Sequence, residues 1–347
     1  MDDLGKECNG SHGPVTRIEW GVQQAVVPVL DTLIIGIGLL GHTLVIFILA
    51  GRRRKRGSRF LHGTDTLLLA LSASDILLLV TLPFHTAAIA LGNWPFGCFL
   101  CKAISFLGVA CNTVSAFTLA ALAVTRYLTV VHPTWAYRTS MQRWLQFFAV
   151  LLWVPAVGLA APQFAFRIVG SSTVVTHCFV FLSDISQLVY SIALFSFGFA
   201  LPLVVIILMY AKLYQFLRKT RRQGRAPQLE RYQKQVTQTT ALLVVVFTVC
   251  WMPSYILMFS RVGQSVGSTT TEFRSLALFT RLLATSSSVI NPLLYAFVSR
   301  KFRKDLMAIR RRRVHCRYCA IPHWIKCCSG GGKDMVQPFN PAELETS

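Results

Sequence analysis

The sequence predicts an all-α membrane protein built as a bundle of seven transmembrane helices. Of its 347 residues, 53% are apolar and only 14% are charged, and the mean hydropathy is +0.52. Soluble domains carry about 25% charged residues, so this chain lacks the charge needed to cover a water-exposed surface. Seven apolar stretches follow one another, each long enough to cross about 30 Å of hydrocarbon as a helix. They cover residues 26–50, 64–91, 98–131, 142–162, 188–217, 235–260 and 273–298.

Prolines interrupt several stretches at positions where a soluble helix would break. Membrane helices tolerate such kinks because neighbouring groups satisfy the freed backbone atoms. The positions are Pro83, Pro155, Pro162, Pro202, Pro253 and Pro292. No internal repeat is visible, which disfavours a repeat-built transporter. We predict one seven-helix domain at 26–298, preceded by a tail at 1–25 and followed by a tail at 299–347.

The charge is positive and unevenly placed. The chain has 35 Lys and Arg against 14 Asp and Glu, a formal net charge of +21. Basic residues concentrate in 52–59, 212–234 and the tail from 299. Cytoplasmic loops are enriched in Lys and Arg, so the N-terminus is predicted outside the cell and the C-terminus inside. A nucleic-acid partner is disfavoured, because these runs lie at helix ends, where solvent or lipid headgroups are the better partners.

The N-terminal tail agrees with this orientation. It contains no basic-then-apolar leader, so the first span is expected to serve as the signal. Asn9-Gly10-Ser11 is a glycosylation sequon, with Asn9 as the acceptor on the outer side.

Six of the seven spans carry residues that a purely apolar helix does not need. The third begins at Cys101, contains Ser115 and ends with Thr125-Arg126-Tyr127. The other spans carry Leu71 and Asp75 in the second, Trp153 in the fourth, Pro202 and Tyr210 in the fifth, Cys250-Trp251-Met252-Pro253 in the sixth and Asn291-Pro292-Leu293-Leu294-Tyr295 in the seventh. In this order and spacing the chain resembles a rhodopsin-type (class A) G-protein-coupled receptor.

Further motifs resemble one group of such receptors. The Trp94-Pro95-Phe96-Gly97 turn, Pro83, and the stretches Val236–Pro253 and Phe297–Leu306 look most like the galanin, allatostatin, kisspeptin and somatostatin group of peptide receptors. The resemblance implies a plasma-membrane receptor that binds an extracellular peptide and activates a heterotrimeric G protein. The short third inner loop implies the inhibitory type by analogy. It also implies arrestin and membrane lipids as partners, a short amphipathic eighth helix, no enzymatic activity and no cofactor except an allosteric sodium ion.

The resemblance also implies a ligand pocket near the outer ends of the helices. The corresponding residues are Asp31, Gly108, Trp251, Tyr255, Met258, Arg261 and Arg281. Amine receptors place an Asp where Gly108 lies, so an amine ligand is disfavoured. Galanin receptors have paired histidines where this chain has Ser254-Tyr255, which disfavours galanin as the ligand. Arg281 either receives an acidic group of the peptide or pairs with Asp31, which lies at a similar depth.

Polar residues also occur deeper in the bundle. Asp75 lies in the apolar run 67–82, where a bare carboxylate is costly unless it is paired. In the family, Asp75, Ser115 and Asn291 would line a sodium pocket; the alternative is a hydrogen-bonded structural Asp. His42 stands where the family has Asn. It is either neutral beside an ordinary sodium site or protonated in place of sodium, which predicts weak sodium inhibition.

The resemblance implies that Arg126, Tyr210 and Tyr295 rearrange on activation. They act with Tyr127, Trp251 and Pro253, where the sixth span can bend. Thr125 replaces the family's acidic residue, so an intrahelical salt bridge is missing. Two consequences are open: basal signalling is raised, or a hydrogen bond from Thr125 replaces the salt bridge. The change also favours an alternative function, a decoy receptor that binds ligand without activating G proteins.

The cysteines sort by the predicted side of the membrane. The resemblance implies a Cys101–Cys178 disulfide, and Cys8 and Cys98 either form a second bridge or lie outside by chance. Cys111 and Cys250 are expected to be packing residues. Cys316, Cys319, Cys327 and Cys328 follow a basic stretch, which suits palmitoylation; with His315 or His323 they could instead bind zinc. An intramembrane enzyme would need clustered ligands at one depth, and only Asp75 and His42 qualify.

Overall fold

The fold was taken from a computed structural model. It describes residues 22–55, 63–136, 138–171, 176–180, 184–222, 227–260, 271–298, 302–304 and 306–307. The chain divides into two compact units, residues 1–299 and 300–347. The described residues of the second unit have helical backbone, and the amphipathic character of an eighth helix stays a prediction.

All seven predicted apolar stretches lie in helices, which confirms the fold class. The helices are α1 (Val22–Lys55), α2 (Gly63–Leu91), α3 (Gly97–Val131), α4 (Pro133–Ala136), α5 (Thr139–Leu151), α6 (Trp153–Phe166), α7 (Asp184–Phe195), α8 (Leu201–Arg222), α9 (Pro227–Ser260) and α10 (Thr271–Val298). Within the described residues, five spans are long and apolar enough to cross a membrane, and Val244–Ser260 is a shorter apolar helix. Most helices continue past their apolar stretch, because backbone hydrogen bonding does not stop where polar side chains begin.

Two spans are interrupted helices, and proline explains both interruptions. The fourth span consists of α5 and α6, which meet at Leu152. Pro155 has no N–H to donate to the carbonyl of Leu151, so the helix breaks there. The fifth span consists of α7, a π-helical turn at Ser196–Ala200 and α8. Pro202 follows that turn and removes another donor, which favours the wider helical turn before it.

The third span, α3, forms the centre of the first unit. It packs against α2, α6, α8 and α9, and its buried residues run from Cys101 to Thr125. On its far side α2 contacts α1, which also packs against α10. The approach of α1 to α10 is close, because a Cβ on Gly41 would lie 2.7 Å from Cγ of Pro292. Glycine at position 41 therefore lets the neighbouring His42 reach the middle of the bundle.

A β-hairpin that the sequence did not predict covers the start of α3. Strand β1 (Arg167–Ser171) pairs antiparallel with β2 (Thr176–Val180), with Val169 opposite Cys178. The Cys101–Cys178 disulfide is present and ties the hairpin to α3, as predicted.

The tryptophan turn before α3 is held against the same hairpin. The backbone N–H of Trp94 donates to the carbonyl of Thr176 at 2.8 Å, and the Thr176 hydroxyl donates to the carbonyl of Trp94 at 2.9 Å. The indole N–H of Trp94 donates to the carbonyl of Gly97, which has φ +73°. Glycine adopts that left-handed conformation without a steric penalty. The turn therefore fixes where α3 begins.

Candidate ligand-binding and signalling site

A cavity of about 440 Å³ opens beneath the hairpin, between the halves of the helices nearest to it. Of the pocket residues predicted from the sequence, four line it: Gly108, Trp251, Tyr255 and Met258. Asp31 and Arg281 do not line it, and Arg261 lies outside the described residues. Among the described residues that line the cavity there is no Asp or Glu.

Tyr255 is the central polar residue at the bottom of this cavity. It is 5% exposed, and its hydroxyl accepts a hydrogen bond from Nδ2 of Asn112 at 3.3 Å. Its ring lies 4.8 Å from that of Phe199 and 5.6 Å from that of Phe195, measured between centroids. These contacts join α3, the fifth span and α9 at one point, so a ligand that moves Tyr255 acts on three spans.

Trp251 lies one helical turn before Tyr255 on α9. Its indole N–H donates to the hydroxyl of Ser287 at 3.1 Å, and its ring lies 6.0 Å from that of Phe247. Pro253 lies two residues after Trp251 and lacks an N–H, so it interrupts the backbone hydrogen bonding of α9 there. The aromatic residues therefore sit where α9 can bend.

A polar group at the outer rim was missed by the sequence reasoning. Arg167 Nε donates to Oε1 of Gln163 at 3.0 Å, and Nε2 of Gln163 donates to the hydroxyl of Tyr190 at 3.2 Å. Tyr190 in turn donates to the carbonyl of Leu159 at 3.1 Å. All three side chains line the cavity. The i, i+4 spacing of Gln163 and Arg167 at the end of the fourth span was the only available signal.

Asp31 and Arg281 form an ion pair, which is the structural alternative considered above. Both Nη atoms of Arg281 lie 3.0 Å from Oδ2 of Asp31. The hydroxyl of Thr86 donates to the same oxygen at 2.6 Å. Asp31 is completely buried, whereas the Arg281 side chain keeps 22% of its surface exposed. The pair joins the first, second and seventh spans beside the cavity.

The four residues of the predicted polar core come together in the middle of the bundle. Asp75 accepts hydrogen bonds from Nδ2 of Asn291 at 2.7 Å and from the hydroxyl of Ser115 at 3.4 Å. Nε2 of His42 lies 3.5 Å from Oδ2 of Asp75 and 2.7 Å from the carbonyl of Ser288. Because a carbonyl oxygen only accepts, Nε2 of His42 must carry a proton.

The donor set partly fits the sodium ion that the family implies. Carboxylate and hydroxyl oxygens suit a hard cation. Asp75 and Ser115 supply both, and the buried hydroxyl of Ser288 has no hydrogen-bond partner. His42 is the misfit, since its Nε2 lies 3.5 Å from Oδ2 of the same carboxylate while its proton goes to the carbonyl of Ser288, so the ring takes space beside Asp75 that an ion would need. Sodium binding therefore stays a prediction, with Asp75 and Ser115 as the residues that would hold the ion.

The residues that the resemblance assigns to signalling lie at the opposite end of the bundle from the cavity. The hydroxyl of Thr125 donates to the carbonyl of Ala121 at 2.7 Å, so that proton is used within α3. Arg126 and Tyr127 follow it on α3, and Tyr210 lies on α8. Tyr295 belongs to α10, but its side chain lies outside the described residues.

The remaining predicted sites are the glycosylation acceptor and the other cysteines. Asn9, Cys8 and the four tail cysteines from 316 to 328 lie outside the described residues. Cys98 is disulfide-bonded, which agrees with the second bridge considered above. Cys111 and Cys250 are free and buried, as expected of packing residues. No group of three His, Cys, Asp or Glu residues suited to a metal occurs in the described part of the chain.

Comparison with known proteins gives one family. The model of the 7-transmembrane receptor (rhodopsin) family matches residues 41–295. Galanin receptor type 1 of Homo sapiens is 32% identical over 299 residues, covering 84% of this chain and 83% of the relative. Galanin receptor type 1 of Rattus norvegicus is 30% identical over 298 residues, covering 85% and 84%. Galanin receptor type 2 of Mus musculus is 29% identical over 311 residues, covering 87% and 82%.

Proposed function

The chain belongs to the rhodopsin family of seven-transmembrane receptors, in the group that contains the galanin receptors, and we propose that it binds an extracellular peptide and activates a heterotrimeric G protein of the inhibitory type. Members of this family are multi-pass membrane receptors of the cell surface and not enzymes. The proposed orientation has the N-terminal tail outside and the C-terminal tail in the cytoplasm, in accord with the basic loops.

The observation that carries the proposal is the composition of the cavity. Its described lining combines apolar and aromatic side chains with amide, hydroxyl and guanidinium groups, without a carboxylate. Such a mixture suits a peptide, which presents both apolar side chains and backbone polar groups. A cationic amine would lack a counterion there. Arg167, which donates to Gln163, suits an acidic or carbonyl group of the ligand.

The relatives are named galanin receptors, but the ligand proposed for this chain is a different peptide. The sequence position of the relatives' paired histidines is occupied by Ser254 and Tyr255. The hydroxyl of Ser254 donates to the carbonyl of Thr280 at 3.2 Å, and the hydroxyl of Tyr255 binds Asn112. Both hydroxyls therefore make hydrogen bonds within the receptor, and neither residue offers a ligand the imidazole groups of a histidine pair.

The aromatic contacts provide a route from ligand to G protein. A ligand that presses on Tyr255 also shifts the rings of Phe199 and Trp251, and α9 can respond by bending at Pro253. The far end of α9 would then move away from Arg126, and a cleft for the G protein would open. Arrestin would bind the same end of the receptor after activation.

The decisive experiment screens neuropeptides against cells that express the full-length receptor. G-protein activation and arrestin recruitment are recorded in parallel, with labelled-peptide uptake as a third signal. Peptide-dependent activation of inhibitory G protein supports the proposal. Uptake without any G-protein response would instead support the decoy receptor, for which the replacement of the acidic residue by Thr125 is the specific argument.

A matched pair of variants tests whether the peptide uses the cavity. Tyr255→Phe removes the hydroxyl that Asn112 binds and leaves the ring in place. The Tyr255 hydroxyl accepts from Asn112 and can donate its own proton to the ligand. One such hydrogen bond contributes about 1 kcal/mol, so agonist potency should fall roughly fivefold. Tyr214→Phe is the control, because Tyr214 is 66% exposed on α8 and far from the cavity. Equal potencies of the two variants would place the ligand elsewhere.

A further inference from the structure

A second cavity lies near the signalling end of the bundle, between α3, α5 and the start of α8. It has a volume of about 280 Å³. Its α3 wall consists of Phe117, Ala120, Val124 and Leu128, with Ala121 and Thr125 beside them. Charged side chains are absent from its described lining. Thr125 is the sole polar residue of that lining, and its hydroxyl is already satisfied by the carbonyl of Ala121.

The opposite wall is one face of α5. Met141, Leu145, Phe148 and Leu152 line the cavity, at spacings of four, three and four residues. Residues at these spacings form a single stripe along a helix. Arg138 occupies the N-cap position of α5 without a side-chain capping bond, and it lies three residues before Met141, so it continues the spacing of the same stripe. Arg138 is exposed, and it places a positive charge at the end of α5 that continues the apolar stripe.

The crevice opens sideways to the surface of the bundle. Phe148 and Leu201, on its two edges, are 43% and 51% exposed. At this depth the solvent is the hydrocarbon of the bilayer. From Phe117 to Leu128 the α3 wall is about 16 Å long. That is roughly half of the 30 Å hydrocarbon core, the depth occupied by the chains of one leaflet.

From these observations we infer that the crevice between α3, α5 and α8 binds one acyl chain of an anionic phospholipid of the cytoplasmic leaflet, whose headgroup contacts Arg138. The length of the α3 wall and the apolar lining suit a linear chain. Anionic lipids are concentrated in the cytoplasmic leaflet, where they attract basic side chains. The bound chain packs against the turn of α3 that carries Thr125, so the lipid stabilises α3 next to Arg126.

The inference rests on the orientation given in the proposed function. Antibody access to tags at the two ends of the chain in intact cells tests that orientation separately. The lipid experiment needs neither peptide nor G protein, so its failure leaves the proposed function untouched.

The test uses the full-length receptor in phosphatidylcholine nanodiscs. A trace of phosphatidylserine or phosphatidylcholine with a diazirine in one acyl chain is photoactivated, and the labelled residues are mapped by mass spectrometry. Labelling by the phosphatidylserine probe should fall on the α5 stripe and the facing wall of α3. Unlabelled phosphatidylserine should displace it at least tenfold more effectively than unlabelled phosphatidylcholine.

Two kinds of variant distinguish the contribution of the acyl chain to lipid binding from that of the headgroup. Ala120→Phe fills the crevice and should reduce labelling of the stripe at least tenfold; Leu145→Trp does the same from the other wall if the first variant does not fold. Val150→Phe is the control for bulk, since Val150 is 70% exposed and two residues from Phe148, on the other side of α5.

Arg138→Gln should abolish the preference for phosphatidylserine while leaving acyl-chain labelling in place. Arg143→Gln is its control, an exposed arginine of the same helix off the stripe. Labelling that survives both filling variants, falls equally with Val150→Phe, or shows no headgroup preference would overturn the inference. Displacement by a sterol but not by phosphatidylserine would also overturn it.

Discussion

Breaking the Asp31–Arg281 pair should destabilise the receptor, and the two halves of the pair should not be equally sensitive. Arg281→Gln leaves the fully buried carboxylate of Asp31 with the hydrogen bond from the Thr86 hydroxyl, at 2.6 Å. An uncompensated buried charge costs about 3–5 kcal/mol. We expect the lower end, about 3 kcal/mol, because Arg281 keeps 22% of its surface exposed and its charge is partly screened already.

The reverse change should cost less. Asp31→Asn keeps a hydrogen-bonding group for Thr86 and leaves a guanidinium that can reach water, a loss of about 1 kcal/mol. The double variant Asp31→Asn/Arg281→Gln removes both charges and should also lose only about 1 kcal/mol. At roughly 2 °C for each kcal/mol in a chain of this size, Arg281→Gln should lower Tm by about 6 °C and the double variant by about 2 °C.

The assay is thermal unfolding of the purified full-length receptor without ligand. Lys212→Gln, which removes an exposed cation on α8, should leave Tm unchanged and serves as the control. Additive losses in the double variant would refute the pairing argument, because coupled residues must show an interaction energy. A charge-swapped Asp31→Arg/Arg281→Asp receptor with normal agonist potency would assign the pair to structure, whereas a tenfold potency loss confined to Arg281 variants would assign Arg281 to the ligand.

Three further predictions concern other parts of the bundle. Replacing Cys101 or Cys178 by Ser should abolish surface expression or peptide binding, because the hairpin is then released from α3; wild-type binding by both variants, measured with labelled peptide, would contradict this. Sodium should inhibit agonist binding only weakly, because the His42 ring lies beside Asp75 and, when protonated, supplies positive charge there in place of sodium. His42→Asn should restore the inhibition. Strong inhibition of the wild type that His42→Asn does not change would exclude the idea. Thr125→Asp should lower basal G-protein activation, because an acid beside Arg126 restores the missing salt bridge. Nucleotide exchange without ligand measures this activation. An unchanged basal rate would mean that Thr125 already restrains the switch.

Local sequence was sufficient for the parts of the molecule that the bilayer dictates. A helix must satisfy its own backbone in hydrocarbon, so long apolar stretches predicted the spans directly. Their ends were less predictable: α9 begins at Pro227, eight residues before the predicted stretch at 235. The polar residues there continue the helix, and hydropathy carries no signal for that.

Irregular backbone was only partly foreseen. Pro155 and Pro202 marked spans that deviate from regular helices, but their sequence did not reveal whether the result would be a break or a π-turn. The hairpin of β1 and β2 was missed altogether. Its strands are five residues long each, and their stability depends on Cys178 and on Trp94, which lies far away in sequence.

Within the candidate site, the sequence by itself determined which residue types are unusual for a membrane helix: Asp75, Arg126, Tyr255 and the Asp31 and Arg281 charges. Tertiary structure alone decided how they pair. Asp31 and Arg281 are 250 residues apart, and Asp75 and Asn291 are 216 apart. Helical periodicity predicts the face on which a side chain lies, but not the depth or rotation of the helix opposite. Those are set by side-chain packing between spans, such as the close contact of Gly41 with Pro292, and packing exists only in the folded bundle.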